Sequence, residues 1–444
     1  IHTVRQTGKM LVAFILLAAF TYATAQPGPG EACNPTTNQC RADSDCHPTE
    51  NICYADPAQV TRPSVWLGTP PSCDARSPQR CAFSDFLFDV SHPRGDRGSQ
   101  WCTSGSKARC QSRVAPALNP PTPANSIQVF SYNIFERDFG ITHDGQRERT
   151  CRIPQNLVRV LPDTDAVIWQ EAFMGGCWQD EANLRHLMTQ HGFPYHTSTI
   201  DDPNDTFENG GVFISSRWPI TAQAQIIFQN RLDFTADDFA AKGVGYAKIE
   251  KTSGGVTKPY HIFGTHMQAG GGAEGDQVRI DQAGEMRQFA VSRNIPATEA
   301  VIYGGDFNTA YQDEGDRYAE FMNALNAPQT IERIGSLMFT SDPNTNDVQR
   351  KKSPNSRPKW IDYVTHSLAH LQPTSATMEV TPTPHQQQFS VCWCELCIPL
   401  EEYVFPDDPL CTQLIDNGGL EGEVALFNHL SDHHPVTGRF TFPA

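Results

Sequence analysis

The stretch VIYGGDFNTA, from Val301 to Ala310, decides the fold because an apolar run leads directly into two glycines and then into Asp306 and Asn308. The run has the length and β-branched content of a strand buried on both faces, and the glycines allow a tight turn and the close approach of a ligand. Because Asp306 and Asn308 are two positions apart, they would share one face of a continuing strand. A carboxylate beside an amide suits a hydrolytic phosphate site, and an ordinary capped turn accounts for the same residues. The motif alone leaves both interpretations open.

Composition indicates a globular chain that can build one large core and a smaller module. The chain has 444 residues, of which 39% are hydrophobic and 19% are charged. Its net charge of −16 argues against nucleic acid as the main partner, since a protein that binds the phosphate backbone needs a basic surface. An acidic enzyme can still bind a phosphodiester through a metal ion.

The first 25 residues have the pattern of a secretory signal peptide. Arg5 and Lys9 precede the apolar run from Leu11 to Phe20, and Ala23 to Ala25 supplies small residues for cleavage. The apolar run is too short to span a bilayer, and no later stretch is long and apolar enough. We therefore expect a soluble, monomeric, extracellular protein from about residue 26 onward.

Cysteine usage divides the chain into two parts. Eight of the fourteen cysteines lie between Cys33 and Cys110, in a segment poor in long apolar runs where disulfides would replace a core. We assign residues 26–114 to a cysteine-rich module, 115–125 to a proline-rich linker and 126–444 to a catalytic domain. Zinc is the alternative for the module, but its cysteines do not form repeated Cys-x-x-Cys pairs.

The remaining six cysteines are expected to pair within the catalytic domain. The prediction joins Cys151 to Cys177 and pairs the others among themselves, namely Cys392, Cys394, Cys397 and Cys411. The Cys-x-Cys-x-x-Cys cluster could hold zinc instead, although a signal peptide favours disulfides.

Beyond the linker, apolar strand-like runs alternate with stretches of helical spacing. Strands are predicted over 127–136, 165–173, 210–220, 244–250, 260–269, 359–367 and 430–440, and helices over 149–161, 180–191 and 276–292. Polar residues lie at or just past the ends of these strands, which is where α/β folds collect their chemistry. We therefore expect a hydrolytic site in which Glu171 holds a divalent cation and a histidine oriented by an acid takes a proton from water.

Six motifs in order resemble those of the endonuclease/exonuclease/phosphatase superfamily: SYN, WQEAF, GTHMQA, GGDFN, WIDYV and SDHHPV. Within it, ENGGVFISSRWPI, ADDFAAKGVGYAKIE and the Gln-x-x-Arg of GQRERT are similar to secreted bacterial neutral sphingomyelinases, which cleave sphingomyelin to ceramide and phosphocholine using magnesium. The resemblance covers about residues 126–442. It implies a DNase-I-like four-layer α/β sandwich, in which two packed β-sheets are flanked by helices.

The resemblance also implies the metal site and the general base. Glu171 and Asn133 would hold one central Mg²⁺ ion and its phosphate, and Asp432 would support this region. His433 would be the general base, held by Asp362. The substrate would be sphingomyelin in membranes, which the protein would reach by peripheral contact.

Further roles follow from the same resemblance. His266 would stabilise the phosphate and the departing oxygen, while Asp306 and Asn308 would position the nucleophile. Bacterial members carry a second, edge metal site. At its positions this chain has Gly175 and Glu208-Asn209, so an edge site is not expected.

Two predictions concern the surface. Asn204 begins the sequon Asn-Asp-Thr in a polar loop and is predicted to be glycosylated, with an unmodified loop asparagine as the alternative. The aromatic stretch from Phe389 to Phe405 occupies the position of a membrane-contacting hairpin in bacterial sphingomyelinases, with Trp393 and Phe405 as contacts. The alternative is that these residues cover the core.

The function is not fixed by these patterns alone. A secreted sphingomyelinase is favoured, and a nuclease or another phosphodiesterase on the same fold is the first alternative. A non-catalytic binding protein on that scaffold is the second.

Overall fold

The computed structural model describes residues 117–137, 142–173, 184–202, 208–232, 240–311, 317–394, 411 and 422–444, together with short segments between residues 44 and 112. The elements in these residues are, in chain order, β1 Ser44–Cys46, β2 Cys53–Ala55, β3 Ser64–Leu67, β4 Phe86–His92, β5 Lys107–Ser112, β6 Ser126–Glu136, β7 His143–Asp144, α1 Gln146–Val160, β8 Ala166–Ala172, α2 Leu184–Gln190, β9 Tyr195–His196, β10 Phe213–Ser216, β11 Ile220–Ile227, β12 Gly243–Ser253, β13 Val256–His266, α3 Gly272–Ser292, β14 Ala300–Asp306, α4 Tyr318–Leu325, β15 Glu332–Ile334, α5 Asp347–Lys352, β16 Asp362–His366, β17 Ser375–Val380, β18 Phe389–Cys394, β19 Glu423–Phe427 and β20 Val436–Thr441.

Two mixed sheets dominate the described residues. One has the strand order β15-β17-β20-β6-β8-β10-β9, and the other has the order β11-β12-β13-β14-β16. Their apolar inner faces meet in one buried cluster, to which Ile168 contributes from the first sheet and Ile262 and Ile302 from the second. Such face-to-face packing leaves about 10 Å between the backbones.

Glycines permit this close packing at two points. A Cβ on Gly264 would lie 2.5 Å from Ile168 Cγ2, and one on Gly304 would lie 2.7 Å from Ile168 Cδ1. Gly305 has a φ of 143°, which side chains rarely adopt, and a Cβ there would meet the carbonyl oxygen of Thr265. The paired glycines before Asp306 therefore serve the contact between the sheets as well as the backbone geometry.

Helices cover the outer faces of both sheets. Phe289 of α3 packs edge-on against Phe263 of β13, with ring centroids 5.7 Å apart. Leu157 of α1 and Leu184 of α2 share a second buried cluster with Trp169 of β8. The predicted four-layer sandwich is confirmed.

Three differences from the predicted elements affect the site. β14 ends at Asp306, and Asn308 has a φ of 52°, so the two residues do not share a strand face. Asp306 Oδ1 instead accepts a hydrogen bond from the Asn308 amide, as in a capped turn (2.9 Å). β20 begins after Pro435, which lacks an amide donor, so residues 430–435 form a loop rather than the predicted strand. Helices α4 and α5 were not predicted.

The predicted linker lies along the catalytic unit where it is described. Tyr260 Oη donates to the Ala124 carbonyl (2.7 Å), Lys251 Nζ donates to Thr122 Oγ1 (2.6 Å), and Asn125 Nδ2 donates to the Phe442 carbonyl (2.8 Å). Residues 122–125 are thus held by side chains from β12 and β13 and by the backbone just past β20. The domain boundary itself stays a prediction.

The disulfides agree with the predicted pairing where both partners are described. Cys392 is bonded to Cys411, and Cys81 is bonded to Cys110 in the cysteine-rich module. Cys151 and Cys394 are also disulfide-bonded. The remaining predictions lie outside the described residues: the signal peptide, Cys177, Cys397, Asn204 and Phe405. Among the described helices, none has an apolar stretch sufficient to span a membrane.

Candidate active site

Strands running in both directions bring the predicted polar residues to one edge. β6, β8, β13 and β14 carry Asn133, Glu171, His266 and Asp306 at or near their C-terminal ends. β16 runs antiparallel to β14, so Asp362, its first residue, pairs directly with Asp306. β20 is antiparallel to β6, and the loop before it carries Asp432 and His433. The site therefore combines strand ends with strand beginnings.

His433 and Asp362 form a buried hydrogen-bonded pair. His433 Nδ1 lies 2.8 Å from Asp362 Oδ2, and His433 Nε2 lies 4.0 Å from Asp306 Oδ2. Burial disfavours the imidazolium, but the charges of Asp362, Asp432 and Asp306 outweigh it and raise the pKa of His433 to about 10. This arrangement orients His433 and directs Nε2 toward the acidic side of the site.

The same residues could be read as metal ligands. Asp306, Asp362 and His433 offer ligand atoms within 4.8 Å of one another. However, the Nδ1 to Asp362 hydrogen bond uses two of these groups on each other, which is typical of an acid that orients a histidine. Burial and the charge of Asp362 raise the pKa of Asp306, while the two site histidines oppose this rise.

Asn133 links the two carboxylates on the opposite side of the site. Its Nδ2 donates to Glu171 Oε1 (2.8 Å) and to Asp306 Oδ2 (3.2 Å), while its Oδ1 accepts from the Phe135 amide (3.1 Å). Asn133 therefore presents N–H groups to the site, and coordination of a metal through Oδ1 would require the amide to rotate. Glu171 has a φ of 53° and its side chain is 17% exposed, so it reaches the open side of the site.

His266 lies between the acidic groups and a buried lysine. His266 Nε2 is 3.6 Å from Asp306 Oδ2, 4.0 Å from Glu171 Oε1 and 3.2 Å from Lys242 Nζ. Lys242 also donates to the Met267 carbonyl (2.9 Å). Lys242 was not predicted as a site residue, although it lies in the ADDFAAKGVGYAKIE motif. The available signal was a lysine immediately before a buried strand.

A second lysine supports the His433 loop. Lys352 Nζ donates to Asp432 Oδ2 (2.6 Å), and Ser431 Oγ lies 3.2 Å from Asp432 Oδ1. Burial works against ionisation of Asp432, but Lys352 and His433 outweigh it and hold the pKa of this carboxyl below its usual range. Lys352 lies outside the motifs that suggested the site and 80 residues before its partner Asp432.

The side chains of two asparagines near the site are hydrogen-bonded to backbone groups. Asn308 Nδ2 donates to the Met267 carbonyl (3.1 Å) beside His266. Asn209 Nδ2 donates to the Phe173 carbonyl (2.9 Å), and its Oδ1 accepts from the Gly211 amide (2.8 Å). The absence of an edge metal site stays a prediction. Gly175 lies outside the described residues.

Comparison with known proteins shows which proteins this chain is similar to. No protein-family model matches the chain. A sphingomyelinase C from Listeria ivanovii is 28% identical over 332 residues, which cover 71% of this chain and 84% of that relative. A sphingomyelinase C from Leptospira interrogans is 29% identical over 305 residues, or 63% of this chain and about half (51%) of that relative's length. The chain is therefore similar to bacterial sphingomyelinases C.

Solved structures extend the agreement to the fold. The crystal structure of SmcL is 26% identical with a TM-score of 0.56, covering 72% of this chain and 100% of that one. A mutant beta toxin from Staphylococcus aureus with bound magnesium ions is 24% identical with a TM-score of 0.56, covering 70% and 99%. This beta toxin structure supports the fold alone. The predicted resemblance to bacterial sphingomyelinases is confirmed.

The predicted membrane contact at Trp393 of this chain is wrong. Trp393 is only 4% exposed, and its ring packs edge-on against Phe427 at 5.5 Å. Trp393 belongs to the second buried cluster, on a strand that pairs with β19. It therefore faces the core and not a bilayer. The exposed apolar residues of this strand pair are Val424 (44%) and Leu426 (57%), which alternate with buried neighbours on β19.

Arg149 joins three backbone segments that lead into the candidate active site of this chain. Its fully buried guanidinium pairs with Asp144 and donates to the carbonyls of Ile134 (2.9 Å) and Leu430 (3.1 Å). Ile134 follows Asn133, and Leu430 precedes the loop that carries His433. Arg149 therefore fixes the backbone on both sides of the site.

Replacing Arg149 with methionine is expected to lower the free energy of unfolding by about 3–5 kcal/mol, because a buried carboxylate and several carbonyls would lose their donor. Denaturant unfolding followed by circular dichroism measures the change. The matched control Arg293→Met removes an exposed arginine at the end of α3 and should stay within about 0.5 kcal/mol of wild type. Equal effects from the two variants would contradict the assigned role.

Proposed function

We propose that the chain is a secreted, magnesium-dependent phosphodiesterase that hydrolyses sphingomyelin to ceramide and phosphocholine. The observation that carries this proposal is the buried pair of His433 and Asp362, which faces Asp306 and Glu171 in a relative of the sphingomyelinases C. Each group suits one need of phosphodiester hydrolysis: a base for water, charge for the phosphate and a metal-binding carboxylate.

The proposed chemistry begins at His433. The neutral form of His433 takes a proton from water at Nε2. The water oxygen attacks phosphorus while the bond to the ceramide oxygen breaks, and that oxygen takes up a proton from solvent as ceramide leaves. The positive charge of a bound cation would favour this neutral form, because it would oppose the rise in the pKa of His433 that the surrounding carboxylates cause. Asp362 keeps the proton of His433 on Nδ1 and stabilises the imidazolium that forms. His266, backed by the positive charge of Lys242, faces the phosphate and the departing oxygen.

The residues around Glu171 fit a divalent cation. Glu171 and Asp306 both contact one Asn133 amide group, so two carboxylates converge on a small, partly exposed volume. Magnesium in proteins is held by one or two carboxylates and several waters. Glu171 would bind the ion directly, with Asn133 beside it. When bound, the ion neutralises a phosphate oxygen and the charge that develops on the leaving group.

The alternatives have weaker support. A nuclease needs a basic surface for nucleic acid, and this chain carries a net charge of −16. A non-catalytic binding protein has no need for a histidine oriented by a buried acid. Both remain outcomes of the following experiment.

The test is to incubate purified protein with sphingomyelin, phosphatidylcholine or DNA, with and without added magnesium. We expect phosphocholine release from sphingomyelin only when magnesium is present. DNA cleavage would instead favour the nuclease, and inactivity on all three substrates would favour the binding protein.

A further inference from the structure

Exposed apolar and basic side chains occur together beside the candidate active site. Met338 is 55% exposed and Phe339 is 39% exposed. Arg357 and Lys359 are also exposed. We call these four residues the amphipathic rim.

Backbone pairing brings the two halves of the amphipathic rim together. The amides of Thr340 and Ser341 donate to the Lys359 carbonyl (2.9 and 3.0 Å), and the Lys359 amide donates to the Ser341 carbonyl (2.9 Å). Met338 and Phe339 directly precede this pairing. The apolar turn and the basic segment are therefore neighbours in the fold, although about twenty residues separate them in sequence.

The same turn is fixed to the catalytic backbone. Thr340 Oγ1 accepts hydrogen bonds from the amides of Ile361 (3.0 Å) and Asp362 (3.3 Å). The Thr340 carbonyl accepts from the amide of His434, the residue after His433 (2.6 Å). A surface that contacts the amphipathic rim would therefore lie next to the His433 and Asp362 pair.

The basic half of the amphipathic rim lies in a positively charged segment of an otherwise acidic chain. Residues 350–359 contain five lysines and arginines, and residues 348–361 contain no acid, in a chain whose net charge is −16. Lys351 pairs with Glu423 at the surface, and Lys352 pairs with the buried Asp432. Arg357 and Lys359 are exposed, so positive charge is presented beside exposed apolar surface.

We propose that the amphipathic rim contacts a phospholipid bilayer, with Met338 and Phe339 entering the interfacial layer while Arg357 and Lys359 meet lipid phosphates. Apolar insertion combined with basic charge is the usual basis of peripheral membrane binding. The inference rests on the proposed function, since an enzyme acting on a membrane lipid must bring its site to the bilayer. It assigns membrane contact to a surface that does not include Trp393.

The test measures binding of the full chain to vesicles that lack sphingomyelin, so that hydrolysis plays no part. The vesicles contain phosphatidylcholine with or without phosphatidylserine, and sedimentation gives the partition coefficient. One variant removes the apolar residues (Met338→Ser with Phe339→Ser), and another removes the charges (Arg357→Gln with Lys359→Gln). Val291→Ser and Arg293→Gln, both exposed at the end of α3, are the matched controls.

The apolar variant is expected to bind both kinds of vesicle about tenfold more weakly. The charge variant should bind phosphatidylserine vesicles about thirtyfold more weakly, and added salt should reduce that difference. The controls should stay within about twofold of wild type. Wild-type binding by both rim variants would overturn the inference.

Measuring sphingomyelin hydrolysis beside vesicle binding distinguishes failure of the membrane contact from failure of the proposed function. If the wild type cleaves sphingomyelin and the rim variants bind vesicles normally, the inference fails and the function stands. If the wild type cleaves no sphingomyelin while the rim variants lose vesicle binding, the function fails and the membrane contact stands.

Discussion

Replacing His433 with alanine is expected to lower kcat on sphingomyelin by about 10²- to 10⁴-fold, because water would lose its general base. The geometry behind this expectation is the 2.8 Å contact between His433 Nδ1 and Asp362 Oδ2, which leaves Nε2 directed into the site. Steady-state release of phosphocholine measures the effect. His186→Ala, which removes an exposed histidine of α2, is the matched control and should keep wild-type activity.

Loss of folding must be separated from loss of the base. The pKa of His433 is raised to about 10, above its unfolded value, so its pairing stabilises the fold at neutral pH and this contribution is lost as pH rises toward 10. His433→Ala leaves Asp362 buried without its partner and is expected to lower the melting temperature. A double variant with Asp362→Asn removes both charges and should regain stability but not activity. Recovery of activity in the double variant would refute the base assignment.

Asp362→Asn alone gives a pH signature. The charge of Asp362 raises the pKa of His433, so its removal lowers that pKa and makes the base neutral at lower pH. The acidic limb of the kcat/KM profile should therefore move to lower pH, while the maximum falls because the imidazole is no longer oriented. A limb that moves to higher pH would mean that another group limits the reaction.

Much of the site could be predicted because its residues follow local patterns. Asn133, Glu171, His266 and Asp306 each lie near the end of an apolar strand, and a hydrophobic run can be read in sequence. Asp362 was predicted by resemblance, but its register beside Asp306 depends on an antiparallel pairing between strands about 60 residues apart. No local pattern contains that pairing.

Groups that act through distant partners could not be predicted. Lys352 lies on a short helix and pairs with Asp432, 80 residues away, while Lys242 lies just before β12 and contacts His266 at the end of β13. An isolated lysine in sequence indicates only a solvated surface. For Trp393 the sequence predicted a membrane contact that the structure does not have. An aromatic residue in a cysteine-rich strand fits a membrane contact and a core position equally well.

Removing the metal is the second change with a large expected effect. A chelator should stop sphingomyelin hydrolysis and magnesium should restore it, because the ion neutralises charge on the phosphate. Glu171→Gln should raise the magnesium concentration needed for half-maximal activity about 100-fold or more, since the amide has no charge to hold the ion. Glu320→Gln, on the exposed face of α4, is the matched control.

Calorimetric titration with magnesium tests the same assignment without turnover. Burial and Asp362 raise the pKa of Asp306, so some of its proton remains at pH values where an exposed aspartate is ionised. A cation bound between Glu171 and Asp306 favours the ionised carboxylate, so binding should release protons and weaken as pH falls. Glu171→Gln should remove most of the binding heat, and Glu320→Gln should leave it unchanged. Binding that persists in Glu171→Gln with wild-type affinity would shift the metal to the Asp306, Asp362 and His433 group.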